Sequence, residues 1–412
     1  MIRNRCGVRI WTRIQHPGAR PAALNGPPRR CHWPRATIGS GSSLPGGIGA
    51  RPSGRATPTA GSIFPWPTSR SSLSGGQVGE WGRPANLEGD LLQQDKELAL
   101  ALVHGAAQWW FDVGGNKYNH PRLMGRIGEL VQAAGAAQSF ARSAVDEVAM
   151  VVDEQSLCRL RVGDPLGNWL LVGQLPALQR IGAPVGHYLV DDLPRLGRHK
   201  VLFFMTSFAP TAEDRRAVDA FKRDGHVLVF FGFPGLYRNG LLDESAMREF
   251  TGINLRLAQE PGSLRVSLAP GRDEIKGLEG VYGVAPQVSP VCYADDPEAR
   301  VLGTLPDGRA GLVIRRHPGW TAIYSAAPLM PTPLLRRLAE LGGVHFYAPP
   351  GDVVWATKDL VGVSVHQAGL RTITLPRPAS ITDLYTGVHL GDNLRSFHAD
   401  FADRATRVFT LK

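Results

Sequence analysis

Four apolar runs that alternate with helical segments constrain the fold of this chain more than any other feature. The runs are Glu147 to Asp153, His187 to Val190, Lys200 to Met205 and His226 to Gly232. The segments between or after them predict helices at Trp169 to Ile181, at Ala212 to Asp224 with Thr211 as its cap, and at Glu244 to Phe250 before Gly252. Strands that are apolar on both faces and separated by helices are typical of a covered parallel sheet. We therefore predict an α/β chain with a flavodoxin-like parallel-sheet domain over residues 144–343.

The sequence pattern changes in the last part of the chain, where one helix is followed by short extended runs. A helix is predicted at Thr332 to Leu341, because its leucines recur at helical spacing. The residues after it read as short strands at Val344 to Tyr347, Val353 to Ala356, Val361 to His366, Arg371 to Leu375, Ile381 to Leu384 and Thr406 to Leu411. Such short alternating runs predict a small antiparallel β-sandwich over residues 344–412.

The first 79 residues contain eleven Arg and no Lys, Asp or Glu, and they are rich in Pro, Gly and Ser. A segment of this composition buries too little apolar area to offset its chain entropy, so residues 1–81 are predicted to be a disordered basic tail. A transit peptide is disfavoured because amphipathic periodicity is absent. An upstream start or a shifted reading frame is the alternative explanation of this segment.

The net charge of +10 comes from that tail, since the remaining chain has 35 basic and 36 acidic residues. The folded part therefore has no basic stripe for nucleic acid. Four scattered Cys and twelve scattered His predict neither a disulfide framework nor a metal site. No apolar run is long enough to span a membrane, and no secretory signal is recognisable, so a cytoplasmic protein is expected.

Residues 82–143 combine two helical patterns with a possible buried strand. The first helix is indicated by Leu residues between Leu91 and Val103, and the second begins near Asn119 with Pro121 in its first turn. Between them, Ala106 to Val113 reads as a short strand that contains Trp109, Trp110 and Asp112.

This order of elements resembles the C-terminal part of glycoside hydrolase family 42, the family of β-galactosidases. The resemblance rests on Trp109, Trp110 and Asp112 before Gly114-Gly115, and on the strings 147–153, 191–193, 336–347 and 372–376. It covers roughly residues 82–412. It implies the end of a TIM barrel over 82–143, a trimerisation domain similar to class I glutamine amidotransferases over 144–343, and a C-terminal β domain.

The family uses a pair of glutamates on its barrel, one as acid/base and one as nucleophile. The region where the nucleophile strand would lie, about residues 60–80, is rich in Pro, Gly and Ser, which do not suit a buried parallel strand. Glu80 and Glu88 are the nearest carboxylates, and both are interpreted as solvated loop residues. We therefore predict no catalytic residue in this chain.

Trp109, Trp110 and Asp112 are the candidate substrate-binding residues. Aromatic faces at the carboxyl end of a barrel stack on sugar rings, and a carboxylate there accepts hydroxyl hydrogen bonds. The alternative is that the tryptophans are barrel core and Asp112 caps a turn.

Three other kinds of enzyme site are excluded because the residues that they need are absent from the sequence. Asp153 to Ser156 follows the first strand where a nucleotide site needs glycines, and Phe231 to Gly235 has no thiol for an amidotransferase. Ser207 lacks the flanking glycines of a hydrolase elbow. Cys158 lies beside Arg159 and Arg161, which would lower its pKa if exposed, but an inert thiol is the favoured interpretation. No cofactor is predicted.

The sequence thus predicts a non-catalytic, architectural part of a β-galactosidase-like glycosidase and a truncated gene product. Its expected partners are copies of itself in a trimer or a barrel-bearing chain, with carbohydrate as a possible ligand. Two alternatives stay open. One is an active glycosidase whose barrel is encoded upstream, and the other is a carbohydrate-binding or regulatory module with an inactive amidotransferase-like fold.

Overall fold

The computed structural model describes residues 84–108, 110 and 118–412. The predicted disordered tail lies outside the described residues. The α-helices of the described part are α1 (Leu87–Val103), α2 (Pro121–Ala136), α3 (Glu154–Leu157), α4 (Leu166–Asn168), α5 (Leu175–Gln179), α6 (Ala212–Asp219), α7 (Glu244–Thr251) and α8 (Thr332–Leu341). No helix in this part combines the length and apolar content needed to cross a bilayer.

The strands fall into a large mixed sheet, a two-stranded hairpin and a separate antiparallel sheet. In chain order they are β1 (Val148–Val152), β2 (Val185–Leu189), β3 (Val201–Phe204), β4 (His226–Phe231), β5 (Tyr237–Arg238), β6 (Leu241–Leu242), β7 (Leu255–Ala258), β8 (Gly262–Leu268), β9 (Val281–Val288), β10 (Val291–Ala294), β11 (Arg300–Thr304), β12 (Ala310–His317), β13 (Trp320–Ser325), β14 (Val353–Ala356), β15 (Leu360–Ser364), β16 (Gly369–Asp383), β17 (His389–Phe401) and β18 (Thr406–Leu411).

The parallel part of the mixed sheet contains five strands in the order β2-β1-β3-β4-β13. Every residue of β1 and β3 is buried, as expected for parallel strands that are covered on both faces. Phe204 and Phe230 stack at 5.0 Å, and Phe250 of α7 packs on both rings. The predicted α/β class with a parallel sheet is therefore confirmed.

The mixed sheet continues beyond β13 in antiparallel fashion. Strands β12, β11, β8 and β9 follow β13 across the sheet, while β10 and β7 branch from β12. The chain between β4 and β13 thus builds an antiparallel extension and then returns to pair with β4 in parallel register, Trp320 opposite His226. The sequence indicated short extended segments here without their pairing.

The C-terminal strands form one antiparallel sheet in the order β14-β15-β18-β16-β17. Their inward side chains, including Val363, Ile373, Phe397 and Phe409, make one core cluster. The antiparallel character is confirmed, although the strands hydrogen-bond in a single sheet and the prediction was a two-sheet sandwich. The segments predicted as separate strands at 371–375 and 381–384 belong to the long strand β16, in which Ala379 marks an irregularity of register.

Helices α1 and α2 pack on this C-terminal sheet. Leu98 and Leu102 of α1 and Leu130 of α2 share a buried cluster with Leu360 of β15 and Val408 of β18. Asn86 caps α1 and His120 caps α2, which has Pro121 at its first position. The two predicted helices are confirmed, and their apolar faces explain their position.

Two local predictions are wrong. Residues 106–108 and 110 of the predicted strand 106–113 have no strand geometry, because Ala106 N bonds back to Ala101 O at the end of α1. Residues 344–347 are irregular because they cross between the two sheets. The helix predicted at 169–181 is confirmed, with its first part, Trp169–Gly173, wound as a π-helix before α5.

Candidate functional site

The structure describes one of the three predicted sugar-binding residues. Trp110 is half-buried, and its Nε1 donates a hydrogen bond to Oε1 of Gln94 on α1. Trp109 and Asp112 lie outside the described residues. Glu80 also lies outside them, while Glu88 is an exposed residue of α1, where a loop residue was predicted, and pairs with Arg122 at 2.8 Å. Because only Trp110 of the three is described, sugar binding by these residues stays a prediction.

The carboxyl edge of the parallel sheet is the place where open α/β sheets usually bind ligands. Here Asp153 follows β1, and its carboxylate caps α3 by accepting hydrogen bonds from Gln155 N at 3.0 Å and Ser156 N at 3.1 Å. The Ser156 hydroxyl donates to the same carboxylate and accepts from Ala209 N at 2.8 Å. These internal bonds occupy the polar groups that would otherwise meet a ligand.

Ser207 and the turn after β4 complete this edge. Ser207 is 1% exposed, and its hydroxyl has no hydrogen-bond partner among the described residues, so no base is positioned to activate it. In the turn after β4, Gly232 has φ 70° and its carbonyl accepts a hydrogen bond from the Tyr324 hydroxyl at 3.0 Å. Phe233 lies in this turn, where a class I glutamine amidotransferase has its catalytic cysteine. At this edge, the described residues therefore supply neither an activated serine nor a cysteine thiol.

Asp153 makes the stability depend on pH. Burial raises the pKa of its carboxyl to about 6, with a further rise from Asp214, against the lowering effect of the Ser156 hydrogen bonds. Because this pKa lies above the ordinary value of 3.8, the folded chain binds the proton more tightly than the unfolded chain. The contribution of Asp153 to the unfolding free energy is therefore greatest below about pH 4 and falls as the pH rises to about 6.

We expect Asp153→Asn to gain stability relative to the wild type between pH 4 and pH 8 by up to about 3 kcal/mol, since one pKa unit is about 1.4 kcal/mol. The amide oxygen keeps the cap of α3 and has no charge to bury. Urea unfolding at several pH values measures the difference, with the exposed Asp295→Asn as control. A difference between variant and wild type that does not change with pH would contradict this assignment.

A second buried polar group lies at the amino edge of the sheet. Asp146 precedes β1, and its carboxylate binds Arg198 at 2.6 Å, His199 at 2.8 Å and the Tyr188 hydroxyl. Burial alone would raise the pKa of the Asp146 carboxyl, but His199, Arg198 and Tyr188 together hold it well below its usual range. Gly186 is required beside it, because a Cβ there would lie 2.1 Å from Asp146 Oδ2.

A small cavity lies between the mixed sheet and the C-terminal sheet. Its volume is about 140 Å³, and its apolar walls are Val145, Ala183, Pro184, Val344 and Pro376. Its polar walls are Glu147, His345 and Tyr347. Glu147 accepts a hydrogen bond from His345 N at 2.8 Å and pairs with Lys200 at 2.7 Å, so it ties the irregular segment 344–347 to the start of β1.

Sequence reasoning missed both of these polar sites. Asp146 and Glu147 stand directly before β1, which was a visible signal, but their partners Arg198, His199 and His345 are about 50 to 200 positions away along the chain. Within residues 84–108, 110 and 118–412, no three His, Cys, Asp or Glu side chains are grouped so that they could hold a metal ion.

Comparison with known proteins finds a similar fold but no matching sequence family. Neither family models nor curated proteins give a match to the sequence. Among solved structures, the fold is similar to that of β-galactosidases, one of which is a member of glycoside hydrolase family 42. The resemblance predicted from the sequence is confirmed at this level.

Three of these structures show how far the similarity extends. A β-galactosidase from Bacillus circulans sp. alkalophilus is 18% identical with a TM-score of 0.57, and covers 76% of this chain and 51% of its own. A family 42 β-galactosidase from G. stearothermophilus is 14% identical with a TM-score of 0.57. A β-galactosidase from Rahnella sp. R3 is 16% identical with a TM-score of 0.55. Each of these two covers 78% of this chain and 51% of its own, so the chain spans about half the length of the enzymes that it resembles.

Proposed function

We propose that this chain supplies the non-catalytic, architectural part of a β-galactosidase-like glycosidase. The observation that carries the proposal is the similarity of fold to β-galactosidases over 76% to 78% of this chain. In this proposal the mixed sheet is a flavodoxin-like trimerisation domain, since its parallel strands have the order 2-1-3-4-5. The C-terminal sheet with α1 and α2 forms the second structural part.

The roles of the described carboxylates support this proposal. A retaining glycosidase needs two carboxyl groups about 5 Å apart that face the sugar. In contrast, Asp146 and Asp383 are held by arginines, Glu147 by a lysine, and Asp153 by the first turn of α3. Each of these groups stabilises the fold where it stands.

Exposed apolar side chains support assembly with further copies of the chain. Leu241 and Leu242, on the hairpin formed by β5 and β6, are 73% and 63% exposed. Met124 and Val131 are exposed at i and i+7 on the outer face of α2. Of these, the two adjacent leucines of the hairpin are the contact that we propose between copies of the chain.

We expect the purified chain to form a homotrimer. Light scattering should give about three times the monomer mass of 44.6 kDa. The double variant Leu241→Ser, Leu242→Ser should shift the population toward monomer. The fold of each chain should be unaffected, because both side chains are exposed in the single chain. Leu370→Ser, at a similarly exposed position on β16, is the matched control. A single species of monomer mass at every concentration would contradict the expected assembly.

A further inference from the structure

The cavity between the two sheets contains a polar group that the protein does not satisfy. Tyr347 is 4% exposed, and its hydroxyl makes no hydrogen bond to any described residue. Burial raises the pKa of this hydroxyl to about 12, with a further contribution from Glu147, so it remains protonated at neutral pH. Tyr347 lines the cavity and its hydroxyl is not among the fully enclosed unpartnered atoms of the described residues, so it can donate to and accept from a molecule bound there.

The remaining polar walls offer acceptors. His345 Nε2 lies 3.0 Å from the Thr374 carbonyl oxygen, which can only accept, so Nε2 carries the proton and Nδ1 is the acceptor of the neutral ring. The Glu147 oxygens each have one partner, Lys200 or His345 N, and retain acceptor capacity. A molecule bound in this cavity should therefore be rich in hydrogen-bond donors.

Charge and shape narrow the class of ligand further. Lys200 neutralises Glu147 at 2.7 Å, so the cavity does not favour a cation. Pro184, Pro376 and Val344 provide apolar surface for C–H groups, and the edge-on packing of His345 and Tyr347, with centroids 4.7 Å apart, fixes both rings. Neutral molecules with hydroxyl groups on one side and C–H groups on the other match these walls.

The volume sets the size of the ligand. A cavity of about 150 Å³ holds a six-carbon ring, so 140 Å³ accommodates about six to eight non-hydrogen atoms. Pro376 is exposed, so a larger molecule can insert one end and leave the rest in solvent.

We propose that the cavity lined by Glu147, His345 and Tyr347 binds a neutral polyhydroxyl compound, either a free triol or the terminal ring of a saccharide. Binding would join the start of β1 to the segment 344–347 and so couple the two sheets. Trp110, the described member of the predicted sugar-binding residues, does not line this cavity, and the proposal does not depend on the architectural role of the chain.

Saturation-transfer NMR on the full chain tests the proposal with glycerol and galactose in separate arms, and with 1-propanol as the probe that lacks the extra hydroxyls. We expect transfer to glycerol, galactose or both, with dissociation constants on the order of millimolar for so small a contact, and no specific transfer to 1-propanol. Binding of galactose alone identifies a saccharide, and binding of glycerol alone identifies a small triol.

Two variants show whether binding occurs at this cavity. Tyr347→Phe removes only the hydroxyl and should weaken binding about fivefold, the usual effect of one lost hydrogen bond. Glu147→Gln is the second variant, Tyr293→Phe is the control away from the cavity, and thermal unfolding reports that each variant is folded. Absence of transfer to either polyol, or equal affinity in the wild type and both cavity variants, would overturn the proposal.

Discussion

Replacing Asp383 by alanine should lower the unfolding free energy of this protein by about 3 to 5 kcal/mol, the usual effect of removing one partner of a buried ion pair. Asp383 is fully buried at the end of β16, and one carboxylate oxygen accepts a hydrogen bond from Arg407 Nε at 2.6 Å. The other accepts from the backbone N–H groups of Tyr385 at 2.8 Å and Thr386 at 3.0 Å. The alanine variant leaves three donors without their acceptor.

The effect should extend to α1, because the Tyr385 hydroxyl donates to the Asp95 carbonyl at 2.6 Å. Hydrogen exchange should show lost protection in β16, β18 and α1 together. Asp383→Asn keeps an acceptor for the two N–H groups and should cost less than the alanine variant. The exposed Asp403→Ala should change stability by less than about 0.5 kcal/mol. Equal stability of Asp383→Ala and Asp403→Ala would refute this role for Asp383.

Asp146→Ala should cost a similar amount, about 3 to 5 kcal/mol, for the same reason. The substitution leaves the fully buried His199 without its bond at 2.8 Å. Arg198 loses its carboxylate partner and keeps only its bonds to the Asp146 carbonyl and the Tyr188 hydroxyl. Asp146→Asn separates charge from shape, since the amide is isosteric and still accepts one hydrogen bond.

The pH dependence of Asp146 has the opposite sign to that of Asp153. Its folded-state pKa lies below the ordinary 3.8, so its stabilisation is complete above about pH 4 and is lost as the pH falls through the folded-state value. The difference in unfolding free energy between wild type and Asp146→Asn should therefore shrink in acid. Asp403→Asn, at an exposed carboxylate, is the control. A difference that persists unchanged to pH 2 would contradict the ion-pair assignment.

Local apolar pattern was sufficient to predict the parallel strands and several helices. The runs that contain β1, β3 and β4 are apolar because both faces of the sheet are covered, and α8 and β18 have the predicted bounds. Thr211 and Gly252 act as predicted at the ends of α6 and α7. These features depend on neighbours in sequence, which is why they could be predicted.

Features that depend on distant partners could not be predicted in this way. Residues 344–347 have strand-like composition, but Tyr347 N bonds to Gly182 O, and His345 N bonds to Glu147, so the segment joins no sheet. The return of β13 to β4 after the long antiparallel extension is likewise a non-local pairing. The candidate cavity is formed by the same long-range contacts, so the local sequence could not show that Glu147, His345 and Tyr347 lie side by side.

Turnover of a chromogenic β-galactoside by the purified full chain tests the non-catalytic assignment most directly. We expect hydrolysis no faster than in buffer between pH 5 and pH 8, with a β-galactosidase of similar fold as the positive control. Saturable hydrolysis that copurifies with the chain and disappears when one of its own carboxylates is changed to the amide would contradict the account.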